Sequence, residues 1–425
     1  MSWNPVLNKL IEIKRECINK FGCATYEKSD NETCVERWVR LLGNQEYIDL
    51  IKPLQFTQFN ELVLVRYGNY SDVFSGESEV TPNEFWSAYN GFYQECRSVV
   101  IDIVNEVLVN TPFRKFRNLN ECEETSMERV TALIKNAKRV EFSDKLDGSM
   151  QSARWYKGKI VMAGSMSLDT KNSWRLEDGY RMINANENYA KMLSACPDYT
   201  FIFEYISMRD AHIVNYTKEQ EGLYLIGIRE SSDGYEHSYE AVLAFAKAYD
   251  IPSTKVYDTT LDKVIGTLDD VKSNEAEGFV INIDGFKVKV KYNDYVGMHN
   301  VLSSISSINL IIRNIGDGTL DDMIAKVPTA YRDRVMKVAK IVYKYIGDTD
   351  KAVRDYLSKA PKDNKKDFMI WVDANVPVEL RGHCKQLYLG QEVNYIKSGN
   401  KNSPHYKMLK EMGITNYTDV FVEEE

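Results

Sequence analysis

Glu277-Gly278-Phe279-Val280-Ile281-Asn282-Ile283-Asp284-Gly285-Phe286-Lys287-Val288-Lys289-Val290-Lys291 is the stretch on which the fold turns. Two alternating runs flank Asp284-Gly285, and Asp-Gly between such runs marks a two-residue hairpin. Folding about that turn pairs Ile283 with Phe286, Ile281 with Val288 and Phe279 with Val290, which makes one face wholly apolar. The opposite face carries Lys287, Lys289 and Lys291 with Asn282, Val280 and Gly278. Three ammonium groups on one strand face repel one another unless an anion or water separates them. The competing explanation is a row of solvated lysines guarding an edge strand. Glu277 falls by parity on the apolar side, so any role on the lysine side requires the strand to begin, or twist, just after it.

Upstream of the hairpin, short β-branched and aromatic runs recur between Gly, Asn and Asp, at residues 62–65, 99–104, 159–162, 201–206 and 223–228. A helix is expected over residues 126–137, and an amphipathic one over residues 4–21, where Val6, Leu10, Ile13 and Cys17 fall near helical spacing. This is an α+β pattern of antiparallel strands without the regular alternation of a doubly wound fold. Beyond about residue 300 the strand signals fade. After Pro328, the residues Tyr331, Val335, Val338, Val342 and Tyr343 recur at helical spacing. The expected organisation is a domain over 1–300, with an N-terminal subdomain of about 1–120, and a helical domain over 301–425.

Two further segments carry chemistry. Lys145-Leu146-Asp147-Gly148-Ser149 sets an amine and a carboxylate two residues apart, so in extended backbone Lys145 and Asp147 face one ligand, with Gly148 allowing a tight turn. Taken alone, Lys-x-Asp-Gly is also a common surface turn. In the strand pattern around Glu204, Ile202, Glu204 and Ile206 share one face and Phe201, Phe203 and Tyr205 the other. A carboxylate between two isoleucines is costly to bury without partners; a glutamate on an edge strand pointing to water competes with a functional role.

Composition narrows the class. The 425 residues have ordinary globular content, 44% apolar, which is enough for a substantial core. No stretch is long and apolar enough to span a bilayer, and no secretory signal is visible. Seven scattered cysteines lack metal-type spacing with the five histidines and read as reduced cytosolic thiols. A net charge of −8 argues against coating nucleic acid through bulk positive charge, though not against a local basic groove, since screening limits a cation's reach to ~8 Å.

Taken in order, these pieces resemble the covalent nucleotidyltransferase superfamily of ATP-dependent ligases and capping enzymes, and within it the first type of T-even bacteriophage RNA ligase. The resemblance also draws on Glu95-Cys96-Arg97, on the run from Pro112 through Lys115 to Glu121, on Tyr295-Val296-Gly297-Met298-His299 and on Gly318-Thr319-Leu320-Asp321-Asp322. It implies an antiparallel-sheet nucleotidyltransferase (ATP-grasp-like ligase) domain followed by an all-α C-terminal domain concerned with RNA specificity. Lys145 would be the adenylated nucleophile, with Glu204 and Glu277 as essential acids. Arg97, Lys115, Asp147, Gly148, Lys289 and Lys291 would hold the nucleotide. Asp321 and Asp322, with Glu277, would help bind Mg2+ or Mn2+; acids favouring a solvated helix N-terminus are the other explanation for that aspartate pair.

The implied activity is ATP-dependent joining of RNA 5′-phosphate and 3′-hydroxyl ends through lysyl-AMP and RNA-adenylate, in repair of RNA such as cleaved tRNA. A polynucleotide kinase-phosphatase would act upstream, and the setting would be cytoplasmic, the host cytoplasm if phage-encoded. The alternatives are a catalytically silent RNA-end-binding protein, a DNA ligase or a capping guanylyltransferase. Two departures stand out. Glycine usually follows the arginine where this chain has Ser98, and a lysine often stands where Ala163 precedes Gly164-Ser165.

Overall fold

The structure is a computed structural model that describes residues 2–28, 32–68, 82–210, 212–305, 308–327, 329–396 and 404–415. Pro328, used in reading the sequence, lies outside these residues. Contacts divide the chain into two units, Met1–Tyr295 and Val296–Glu425.

The first unit begins with the helix Pro5–Phe21. Asn4 caps it, its side chain accepting from the amides of Val6 and Leu7, and Pro5 occupies the first turn, where a missing N–H costs nothing. The expected stripe of Val6, Leu10, Ile13 and Cys17 is fully buried, together with Trp38 of the next helix, Cys34–Leu42. Both pack on an antiparallel sheet of β1 (Leu54–Phe59), β2 (Leu62–Tyr67), β3 (Arg97–Asp102) and β4 (Val107–Asn110), in that order. Burying each large apolar side chain here contributes roughly 1.5–3 kcal/mol.

Two further sheets build the rest of the unit, with strands running in chain order as β5 (Arg117–Asn118), β6 (Val140–Asp144), β7 (Ser149–Tyr156), β8 (Lys159–Gly164), β9 (Tyr199–Ile206), β10 (Gly222–Glu230), β11 (Val256–Tyr257), β12 (Gly278–Ile283) and β13 (Phe286–Lys291). One sheet has the order β10-β9-β7-β8 and the other β11-β6-β12-β13-β5. Every pairing is antiparallel except that of β13 with β5. Each sheet buries one face under helices. Phe201, Phe203 and Tyr205 of β9 pack on the helices Trp174–Ala185 and Glu187–Ala195, while Phe142, Ile281 and Val288 pack on Met127–Asn136 and Leu261–Gly266. The faces left over carry the polar side chains of the candidate site.

The hairpin has the register that its sequence implies, Ile283 against Phe286, Ile281 against Val288 and Phe279 against Val290. Asp284 and Gly285 both have positive φ, 49° and 96°, as a primed turn requires. The edge-strand explanation for the lysines fails, because β13 lies between β12 and β5. Glu204 is likewise no edge residue: β9 is flanked by β10 and β7, where Tyr224 and Met150 stand opposite it.

The second unit is helical, with Ile308–Asp317, Leu320–Lys326, the 31-residue Thr329–Lys359, Lys365–Asn375, Val378–Tyr388 and Pro404–Glu411. Phe368 and Tyr388 stack at 3.8 Å within a cluster that includes Val353, Val372 and Cys384. Of the expected stripe, Tyr331, Val335, Val338 and Val342 are buried, but Tyr343 is exposed and Ala339 takes the inward place. One residue is about 100° of helix, which carries Tyr343 off the apolar face. Among the described residues no helix is long and apolar enough to cross a membrane.

Candidate functional site

Where β6 ends, the chain crosses from one sheet to the other, and Lys145 sits at that crossing. Its amide donates to the Gly278 carbonyl (2.9 Å), continuing the β6–β12 ladder by one bond. Three residues on, the backbone passes so close to β9 that a Cβ on Gly148 would lie 2.6 Å from the Tyr205 carbonyl oxygen and 2.7 Å from Glu204 Cγ. Only glycine fits there, for reasons of space rather than of turn conformation.

Lys145 Nζ donates to Glu277 Oε2 at 2.7 Å, and Lys291 Nζ pairs with Oε1 of the same carboxylate at 2.8 Å. The parity that places Glu277 on the apolar side is broken at Gly278. Its φ of +147° is one that side chains rarely adopt, and a Cβ on it would fall 2.1 Å from the Val290 carbonyl oxygen. The strand begins only there, so Glu277 turns into the lysine side and is buried.

A cavity of about 380 Å³ opens above these groups, walled in part by Arg97, Phe116, Lys145, Glu204, Lys289 and Lys291. Phe116 is shared, with the Arg97 guanidinium 4.8 Å from its ring centre and Lys289 Nζ 5.4 Å. Lys115 lies over Tyr67 and Trp86, at 5.4 and 5.6 Å. Lys287 takes no part. It is buried, ion-paired with Glu236 and held over Phe113.

Burial and then the charges of Lys115, Arg97, Lys145 and Lys291 push the Lys289 ammonium down to about 7. Among the described residues no acceptor lies within hydrogen-bond distance of its Nζ. Lys145 goes the other way. Burial lowers it, but Glu277 foremost and then Glu204 outweigh burial, and its pKa stands above the ordinary lysine value. Glu204 is pushed up to about 7, chiefly by burial and against the pull of Lys145.

Extended backbone would set Asp147 on the same face as Lys145, but its side chain turns elsewhere. Its Oδ2 accepts from the amides of Ile213 and Val214 (2.8 and 3.0 Å), and its Oδ1 accepts from the Tyr295 hydroxyl (2.9 Å). The i, i+2 rule holds for extended backbone, and the segment between β6 and β7 is not a strand. Ser98 has φ +65°, which accounts for glycine being usual there, and its hydroxyl donates to the Ser165 carbonyl at 2.7 Å. Ala163 is buried among Leu64, Val100 and Val161, so that position supplies no cation.

Asp321 and Asp322 lie in the second unit, exposed in the first turn of Leu320–Lys326. Among the described residues no three His, Cys, Asp or Glu side chains converge as a metal site. Sequence reasoning did not single out Phe116, which two cations share, or Tyr295, which joins Asp147 to Lys291 through its ring at 5.0 Å. A ring set among the basic Arg114, Lys115 and Arg117 was the available signal for the first, and the quoted stretch Tyr295-Val296-Gly297-Met298-His299 for the second.

Residues 95–295, just under half of the chain, match the model of a family described as RNA ligase. The fold also has faint likenesses among solved structures. A Naegleria gruberi RNA ligase with PPi is 18% identical with a TM-score of 0.32, over 40% of this chain and 55% of that one. An archaeal ATP-dependent RNA ligase is 11% identical with a TM-score of 0.42, over 82% and 96%. This chain thus spans just over half the length of the Naegleria protein. Likenesses this faint carry no residue assignment and no substrate.

Proposed function

We propose that this chain is an ATP-dependent RNA ligase that carries AMP on Lys145, and that residues 1–300 form its adenylyl-transfer domain. The observation that carries the reading is Lys289, a half-buried ammonium with no acceptor among the described residues, ringed by four other cations. Such a group is costly unless an anion meets it, and a triphosphate supplies one of the right charge. The match of residues 95–295 to the RNA ligase family supports the same reading independently.

In this reading Arg97, Lys115, Lys289 and Lys291 hold the phosphates, and Phe116 keeps two of those cations in place. Without nucleotide, Glu277 keeps the Lys145 ammonium paired at 2.7 Å; once a triphosphate is bound and a divalent cation would draw on that carboxylate, the ammonium gives its proton to water and the neutral amine attacks the α-phosphorus in line. The N–P bond forms as the bond to pyrophosphate breaks. Lysine suits the task because arginine stays protonated. Glu204 and Glu277 are the carboxylates in reach of a divalent cation, which needs few protein ligands when phosphates supply the rest and would draw charge off the phosphate oxygens. AMP then passes to an RNA 5′-phosphate, and a 3′-hydroxyl displaces it to seal the strand. Asp147 acts here by holding the turn, and the assignment of metal ligation to Asp321 and Asp322 rests on resemblance alone.

We place the enzyme in cytoplasmic RNA repair of the T-even phage type, on cleaved tRNA or similar ends prepared by a kinase-phosphatase, with residues 301–425 governing RNA choice. The test is mass spectrometry after incubation with ATP or GTP and Mg2+ or Mn2+. AMP should appear on Lys145, not GMP, and should be absent from Lys145→Ala. If the wild type never gains an adenylyl group at Lys145, the reading fails.

A further inference from the structure

Strands β8 and β9 both run out beside the cleft. Ser165, which follows β8, lines the cavity, and the next residue, Met166, is 57% exposed. Glu204 of β9 lines it too, and beyond the strand come Met208, 42% exposed, and the exposed Arg209. Between these segments, Ser149 on the cavity wall donates to Asp210 Oδ2 at 2.8 Å, and Asp210 Oδ1 accepts from Arg175 at 2.7 Å. The Arg175 guanidinium lies 4.5 Å from the centre of the Trp174 ring, and that of Arg209 lies 5.1 Å from the same ring. Contacts thus run without a break from the wall that carries Lys145 to a surface holding two guanidiniums and an indole, beside two strand ends with exposed thioethers.

We infer that this rim seats the single-stranded RNA whose end is joined, an inference that rests on the ligase reading above. Guanidinium planes and indoles are the groups on which unstacked bases stack whatever their sequence, and a guanidinium also meets a phosphate with a fork of donors. The chain as a whole is acidic, yet this lip of the cleft sets two guanidiniums on one indole. Asp210, which accepts from Arg175 at 2.7 Å, and Glu221, which accepts from the Met208 amide at 2.8 Å, set carboxylates beside the two guanidiniums. The rim therefore suits a short stacked end rather than a long duplex held by charge.

The test uses the full chain and a fluorescent, 5′-phosphorylated single-stranded oligoribonucleotide. Arg209 is exposed, so Arg209→Glu and Arg209→Ala leave the core untouched. Arg209→Glu is expected to bind the oligonucleotide about tenfold more weakly, and Arg209→Ala to make the dependence of log K on log salt shallower by about 0.7, the share of one phosphate contact. AMP transfer from ATP to Lys145 without RNA should match the wild type. If the wild type joins RNA and Arg209→Glu binds and joins it equally well, the rim falls and the ligase reading stands. If the wild type takes up AMP but neither binds nor joins RNA, the ligase reading falls and the rim with it.

Discussion

Lys289 gives a count of protons that can be measured. Its ammonium titrates at about 7, so at pH 8 about nine-tenths of the molecules hold the neutral amine, one pH unit being a tenfold ratio. A triphosphate laid against it supplies the opposite charge and restores the ammonium. Binding should therefore take up about 0.9 proton per nucleotide at pH 8 but only about 0.1 at pH 6. Titration calorimetry with an ATP analogue that resists cleavage at the α,β bridge, run in two buffers of unequal ionisation enthalpy, reads this number directly. Glu204 also titrates at about 7, so the quantity compared is wild type minus Lys289→Met, a variant of similar shape that cannot ionise. The variant should lose the uptake at pH 8 and differ little at pH 6. Equal proton counts for the two proteins at pH 8 would refute the reasoning, whatever their affinities.

Other perturbations follow from the same geometry. Burial raises Glu204 above its unfolded value, so the stability it allows is fully present below the unfolded pKa and is lost as pH rises through about 7. Glu204→Gln should then match the wild type near pH 4 and be more stable by up to roughly 3 kcal/mol at pH 9, read from urea midpoints; a constant difference across that range would show the cause to be something else. Ser98→Ala keeps the positive φ and loses the 2.7 Å hydrogen bond, which should cost about 1 kcal/mol. Ser98→Gly loses the same bond but relieves about 1 kcal/mol of backbone strain, so it should melt close to the wild type and above Ser98→Ala.

Much of the fold could be read locally. Alternation and an Asp-Gly turn fix the β12–β13 register, and helical spacing marks Pro5–Phe21. The site was legible wherever parity in a strand decides direction, as for Glu204, Lys289 and Lys291. It was illegible where direction depends on a contact from far along the chain. Lys287 is removed from the lysine row by Glu236, 51 residues away, and Asp147 is drawn off by Ile213, Val214 and Tyr295. Glu277 lies between these cases. Strand parity sends it the wrong way, and only the conformation of Gly278 brings it back. Whether Lys289 meets an acceptor is likewise a property of the packed cleft and has no trace in the order of residues.

The carboxylate shared by Lys145 and Lys291 bears on life between turnovers. An amine stored as a salt is a poor target for aldehydes, acyl phosphates and other stray electrophiles, so on the proposed reading the resting protein would guard Lys145. On that reading a polyanion would give Lys291 a second claimant and loosen the arrangement at the moment when reactivity is wanted. Covalent inhibitors aimed at Lys145 should accordingly be designed against the nucleotide-loaded form, in which the guard is down, and screened there rather than on the empty protein.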